Sequence, residues 1–262
     1  IKNNINFFSG VPDSLLSNFS IELETSKKNI NHIITPNEGT AVSMALGHFI
    51  ASKNIGVVYL QNSGLGNIVN PVLSLSNKKV WKIPIFFLIG WRGSPKKKDE
   101  PQHMSQGFAT IELLKLLNIK FAIVKKNIDY VKKIKELKSF AIKNNNSVAL
   151  LFPEKYVSTN VVPEISSNKN KHSLTRLKVL ETILANTKKR DLIIATTGKT
   201  SRELYYLRNK NKSKFNDLYV VGGMGHASSI VLGMSETLKN KRIFLLDGDG
   251  ALLMHMGILS LV

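Results

Sequence analysis

The chain has 262 residues, enough for one large or two ordinary domains. Hydrophobic residues make up 43% and charged residues 21%, the balance of a globular protein, and the absence of cysteine excludes disulfides and thiolate metal sites. The net charge of +19 comes from lysines scattered beside Asn and Ile (KKNI, KNNN, NKNK) without interleaved aromatics, so no nucleic-acid partner is expected, although a basic surface would draw an anionic substrate.

A cysteine-free chain suits a reducing, cytoplasmic setting. No apolar run approaches the roughly 18 residues of a membrane span, so no membrane partner is expected. The first residue is Ile1 rather than Met, and IKNNINFFSG lacks the apolar core of a signal peptide; a longer native product is the expectation.

Short β-rich runs alternate with helical patterns along the chain, as in parallel α/β layers. The pattern predicts strands at 5–8, 32–35, 56–60, 84–90, 120–124 and 147–152. Helices fall between them at 14–24, 36–53, 67–77, 107–118 and 127–144. The next stretch, PEKYVSTNVVPEISSNKNKHS, is polar with two prolines and reads as a linker. Alternation then restarts with a helix at 173–187, a strand at 191–196, a helix at 200–209 and a strand at 217–221. A helix at 226–238, a strand at 242–246 and a helix from 251 onward complete it. The expected division is a first α/β domain over 1–165 and a second over 172–262. Three strands are too few for a complete sheet of this class, so the second domain is expected to be incomplete.

Several strand-to-helix turns carry chemistry-bearing residues. In parallel sheets ligands sit beyond the carboxyl ends of the strands, where glycines let backbone approach a phosphate. LLDGDGALLMHMG places Asp247 and Asp249 in such a turn; Ala251 stands where a calcium loop would need a third ligand. GGMGHASS resembles a dinucleotide fingerprint, but Ser228 replaces its third glycine. TTGKTSRE offers Lys199 and Arg202 at a helix start, and Ile193 breaks a P-loop reading. QNSGLGNIVNP is a third glycine turn, and three together suggest an extended phosphorylated ligand. In ITPNEGTAVSMALG, Thr35, Pro36 and Glu38 fit a capping box, which on local grounds makes Glu38 a cap. The stretch LIGWRGSPKKKDEPQHMSQG reads as a long loop gathering Arg92, Asp99, Glu100 and His103.

Taken in order, FSGVPDSLL, PNEGTAVSMALG, QNSGLGNIVNP, LIGWRGSP with KDEPQH, TTGKTSREL, GGMGHASSI and LLDGDGALLMHMG resemble the thiamine-diphosphate-dependent 2-oxoacid decarboxylases. The nearest branch is that of phosphonopyruvate decarboxylase, with sulfopyruvate decarboxylase close behind. The resemblance implies a pyrimidine-binding domain followed by a diphosphate-binding domain, with cofactor sites shared between subunits of a homodimer or larger homo-oligomer. It implies thiamine diphosphate and Mg2+ as cofactors and a 2-oxoacid bearing a phosphonate or sulfonate as substrate.

The same resemblance implies that Glu38 hydrogen-bonds the aminopyrimidine ring, whose imino form takes the thiazolium proton. Met224 wedges the cofactor into its bent shape, and Gly222 and Gly223 leave carbonyls open to its amino group. Asp249 binds the metal, while Gly248, Gly250 and Ala251 form the tight turn around the diphosphate. The asparagine metal ligands that follow this turn in the family would lie beyond Val262. Asp13 and His103 stand near the family's proton-transfer groups. Arg92 is a candidate for the phosphonate because a guanidinium fork suits tetrahedral anions, with Lys199 and Arg202 as alternatives.

Two rival readings belong to other classes. A dinucleotide oxidoreductase would need an acidic ribose ligand about 20 residues after the glycines, near Asp247. A non-catalytic fragment would keep the turns without the chemistry. The terminal LLMHMGILSLV is apolar on every face and is expected to be buried in the full protein.

Overall fold

Strands that read as unbroken apolar runs belong in the middle of a parallel sheet, where helices cover both faces. In the computed structural model, which describes residues 5–26, 29–95, 97–126, 129–159, 161, 174–211 and 217–262, three such runs take that place: β3 (Val57–Gln61), β4 (Phe86–Gly90) and β6 (Val148–Phe152). With β1 (Phe7–Gly10), β2 (Asn31–Ile34) and β5 (Lys120–Ile123) they form one six-stranded sheet of order β2-β1-β3-β4-β6-β5. Every neighbouring pair is parallel. The order reverses direction between β1 and β3, and the carboxyl ends there open a crevice of the kind that holds ligands.

Alternate residues of the central strands face two apolar layers. Val58, Leu60, Phe87, Ile89, Ala149 and Leu151 pack with Ala41, Val42 and Leu46 of α2 (Glu38–Ser52), Ile68 of α3 (Leu65–Pro71) and Leu114 of α4 (Pro101–Leu116). Val57, Tyr59, Phe86, Leu88, Val148 and Leu150 pack with Leu23 of α1 (Ser17–Thr25) and with Leu137 and Ala141 of α5 (Tyr130–Asn144).

The chain divides into two compact units, Ile1–Pro163 and Glu164–Val262. The second holds a three-stranded parallel sheet, β8 (Asp217–Tyr219), β7 (Leu192–Ala195) and β9 (Ile243–Leu246), with β7 in the middle. Around it run α6 (Arg176–Ala185), α7 (Lys199–Lys210), α8 (Ala227–Thr237) and α9 (Asp249–Met254). Its core joins Leu180, Ile193, Ala195, Leu204, Leu207 and Leu246. Edge strand β8 is tied down by a paired contact in which Arg208 donates to both carboxylate oxygens of Asp217 at 2.8 and 3.0 Å. No helix among the described residues is long and apolar enough to cross a membrane.

The structure corrects the sequence reading in several places. The cap of α2 is Asn37, not Thr35: its side chain accepts from the Thr40 amide at 2.9 Å, so Glu38 is the first helical residue and no capping box forms. Helix α4 starts at Pro101, six residues before the expected start, because the extended Glu100 and a proline in the first turn make a better helix entry than Gly107 does. His103 is therefore helical rather than part of a loop. The helix expected at 67–77 is split between α3 and a π-type turn at Val72–Ser76, with a 3-10 turn at Asn62–Gly64 before them. Pro71 ends α3 because it has no amide proton for the helical ladder. The terminal apolar segment forms α9 and a 3-10 turn, Met256–Leu261, with Leu253, Leu259 and Leu261 exposed within this chain. Of the expected linker, 160 and 162–173 lie outside the described residues.

Candidate functional site

In the first unit, two groups of polar residues stand at the carboxyl ends of the sheet. One centres on Glu38, which is 4% exposed. A buried carboxylate needs partners, and Asn67 on α3 donates its amide to Oε2 at 2.6 Å. The carboxylate lies so close over Gly64 that a Cβ there would meet Oε1 at 2.2 Å. Glycine at 64 is therefore required by contact, and the turn QNSGLGN exists in part to seat Glu38.

The second group surrounds Arg92 at the end of β4. Its guanidinium donates twice to Asp99, from Nε at 2.8 Å and from NH2 at 2.5 Å, and once to Ser14 Oγ at 3.2 Å. Asp99 also accepts from the amides of Gly93 and Glu100 at 2.9 and 2.8 Å. These donors hold its carboxyl far below the ordinary carboxylate range, with the Arg92 hydrogen bond the largest cause. Asn62, 1% exposed, brackets the same loop: it donates to the Arg92 carbonyl and Thr110 Oγ1, both at 2.9 Å, and accepts from the Arg92 amide at 3.0 Å. The loop then turns through Gly93, at φ +64°, where a Cβ would meet the His103 carbonyl at 2.0 Å.

Asp13, 5% exposed, follows β1 and packs against Gly90 of β4, where a Cβ would meet its Oδ2 at 2.0 Å. Oδ2 accepts from the amides of Leu15 and Leu16 at 2.9 and 3.2 Å, while buried Oδ1 has no partner. Burial raises its pKa against these hydrogen bonds and the nearby Arg92. Burial, then Arg92, lowers that of His103. Both groups are thus pushed toward their uncharged forms.

In the second unit three turns converge around β7. Gly248 lies beside Thr196, and a Cβ on Gly250 would meet Met224 Cε at 3.1 Å. Gly225, at φ +89°, lies against α9, where a Cβ would meet His255 at 2.5 Å. Asp249 is the first residue of α9 and exposed, so its charge also suits the positive end of that helix. Thr196 Oγ1 and Asp247 Oδ2 are buried without a partner.

The structure brings Asp13, Arg92 and His103 to one loop cluster and Met224, Gly248, Asp249 and Gly250 to another. The Arg92 guanidinium is clasped by Asp99 through Nε and NH2, which occupies two of its five donors. The Gly223 carbonyl accepts from the His226 amide at 3.1 Å and lies 3.0 Å from His226 Nδ1. Gly222 is half-buried, and Ala251, at 5% exposed, can offer a ligand little but backbone. Lys199 and Arg202 are exposed on the first turn of α7. Asn67 and Asn62 escaped the sequence reading because their partners lie tens of residues away along the chain, and the Asp99 clasp escaped because Glu100 beside it offers Arg92 an equal carboxylate.

The first of these units is that of a thiamine pyrophosphate enzyme: the profile of the thiamine pyrophosphate enzyme N-terminal TPP binding domain matches residues 1–113. Phosphonopyruvate decarboxylase of Streptomyces viridochromogenes is 31% identical over 275 residues, covering 97% of this chain and 65% of its own length. That of Streptomyces hygroscopicus is 30% identical over 269 residues with the same coverage. Sulfopyruvate decarboxylase subunit alpha of Methanocaldococcus jannaschii is 33% identical over 153 residues, 58% of this chain and 88% of that subunit. The chain belongs to the thiamine-pyrophosphate-dependent decarboxylase family, in the branch of phosphonopyruvate and sulfopyruvate decarboxylases. It spans 65% of the length of the phosphonopyruvate decarboxylases it matches.

Proposed function

We propose that this chain supplies the pyrimidine-binding (1–165) and diphosphate-binding (172–262) parts of a decarboxylase that uses thiamine diphosphate and Mg2+ to convert 3-phosphonopyruvate to phosphonoacetaldehyde and carbon dioxide. The observation that carries this reading is Glu38, a carboxylate buried at strand ends and fixed through Oε2 by Asn67, in a chain 31% identical to a phosphonopyruvate decarboxylase.

The residues present suit the cofactor. Gly64 leaves room for the Glu38 carboxylate, and Gly250 leaves room for the Met224 side chain. Asp247 and Asp249 offer hard oxygens of the kind Mg2+ takes, and Mg2+ usually completes its shell with water and phosphate rather than a full protein cage. Among the described residues no group of three acidic, His or Cys side chains could hold a metal alone, which fits a metal shared with diphosphate. When bound, thiamine diphosphate supplies the nucleophilic carbon and the electron sink for the departing carboxylate.

The protein residues then have separate tasks. Glu38, oriented by Asn67, holds a proton at the aminopyrimidine ring. Asp13 and His103, both biased toward uncharged forms, hold and move the proton that the product carbon receives. Asp99 fixes the loop that carries Arg92 and His103. Met224 and Gly250 shape the apolar wall, and Asp249 binds the metal. The two ends of each cofactor are met by different subunits of a homodimer.

The test is carbon dioxide release by the full native protein with thiamine diphosphate and Mg2+. Release from 3-phosphonopyruvate is expected, and no release from either phosphonopyruvate or sulfopyruvate would overturn the reading. The likeness to the archaeal sulfopyruvate decarboxylase subunit supports sulfopyruvate as the second candidate substrate, and relative kcat/KM on the two acids separates them.

A further inference from the structure

Beyond the carboxyl ends of β4 and β6, the loop after β4 and the segment after β6 line an open hollow of about 300 Å³. That volume lies at the small end of ligand sites. Leu15 and the buried Trp91 give it apolar walls, and six charged residues line it: Arg92, Lys97, Lys98, Asp99, Glu154 and Lys155. Four of these six form two pairs. Arg92 is clasped by Asp99, and Lys97 is bonded to Glu154 while reaching the Pro153 carbonyl at 3.5 Å. Lys98 and Lys155 have no carboxylate partner among the described residues. The rim of a small hollow thus carries two exposed lysines without carboxylate partners, an arrangement that attracts a compact dianion.

We infer that Lys98 and Lys155 form the subsite for the tetrahedral oxyanion at C3 of the substrate, an inference that rests on the decarboxylase reading above. The Arg92–Asp99 clasp builds the wall of this subsite and does not bind the ligand itself. Lysine suits the task, because two mobile point charges follow a rotating phosphonate without demanding one fixed geometry. A phosphonate dianion meets both ammonium groups, whereas a sulfonate carries a single charge and gains less.

The test is a titration of the full native protein with methylphosphonate followed by phosphorus NMR. Lys98→Met and Lys155→Met are each expected to weaken binding about threefold and the double variant about tenfold. Glu154→Gln, which releases Lys97, is expected to tighten it about twofold. Unchanged methylphosphonate affinity in the double variant would overturn the inference. In the loaded enzyme the double variant should raise KM for 3-phosphonopyruvate with kcat nearly unchanged and leave kcat/KM for pyruvate alone. An equal fall on both acids would also count against it. If the wild-type protein decarboxylates neither acid, the decarboxylase reading fails, and the methylphosphonate titration still decides the subsite.

Discussion

The strand-end clusters of the two units differ in how far folding alone has satisfied them. In the first unit Glu38, Asn62 and Asp99 are bonded to named partners, Gly64, Gly90 and Gly93 let backbone close around the cluster, and Asp13 Oδ1 alone of the named site atoms there is buried without a partner. In the second unit Asp249 is exposed, and Thr196 Oγ1 and Asp247 Oδ2 are buried with nothing to bond. Buried polar atoms without partners cost about 1–3 kcal/mol each. A chain tolerates that where a ligand later supplies the partner. On the proposed reading the Glu38 and Asp99 contacts are preorganised, while Asp13, Thr196 and Asp247 keep buried atoms for what binds later.

Substitutions sharpen this contrast, and the largest effect is expected at Glu38. Glu38→Gln should slow decarboxylation at least about a hundredfold, because the amide cannot trade a proton with the pyrimidine ring. A rate unchanged in single-turnover measurements would remove Glu38 from the chemistry. Next comes Asp99→Asn. Removing the carboxylate leaves the Arg92 fork without its anion, and the expected loss is about 2 kcal/mol of unfolding free energy in urea titrations. Asp99 binds its proton less tightly folded than unfolded. The pair's stabilisation is therefore complete above the ordinary value of 3.8 and drains away as pH falls below it. Wild type and variant should converge in acid, and a gap that persists there would contradict the clasp.

Gly64→Ala should cost about 1–3 kcal/mol, since its Cβ would occupy the place of Glu38 Oε1. The same variant should lower kcat, and a structure with Glu38 unmoved would break the link between that turn and the carboxylate. The smallest stability effect is expected in the second unit. Asp249→Ala should change apo-protein stability by no more than about 0.5 kcal/mol. It should nevertheless abolish the stabilisation that wild type gains on adding thiamine diphosphate with Mg2+, read as a thermal shift. A large apo-state loss would mean that the second cluster is built by folding after all.

Much of the architecture was legible in the sequence because its signals are local. VVYLQ, FFLIG and VALLF are apolar on both faces, and only a parallel sheet covered by helices buries such runs. Element ends were less legible. Asn37 sets one helix start through a single capping hydrogen bond and Pro101 another through its fixed φ, and competing signals at Thr35 and Gly107 were as strong on paper. In the site, Glu38 and Asp249 were visible through their motifs. What Arg92 binds was not, because Asp99 and Glu100 both stand within reach of it in sequence and only geometry pairs it with Asp99. Asn67 was similarly invisible, since its partner lies 29 residues away.

The central claim, that Glu38 of one subunit and Asp249 of another hold the two ends of one cofactor, is tested most directly by subunit complementation. Glu38→Gln and Asp249→Ala proteins, each inactive alone, are unfolded together, refolded as a mixture and assayed with 3-phosphonopyruvate. If the two residues meet across the dimer, each mixed dimer regains one intact site and the mixture recovers about a quarter of wild-type activity. If mixed dimers form and no activity returns, the two residues do not serve one cofactor across the dimer, and the account is contradicted.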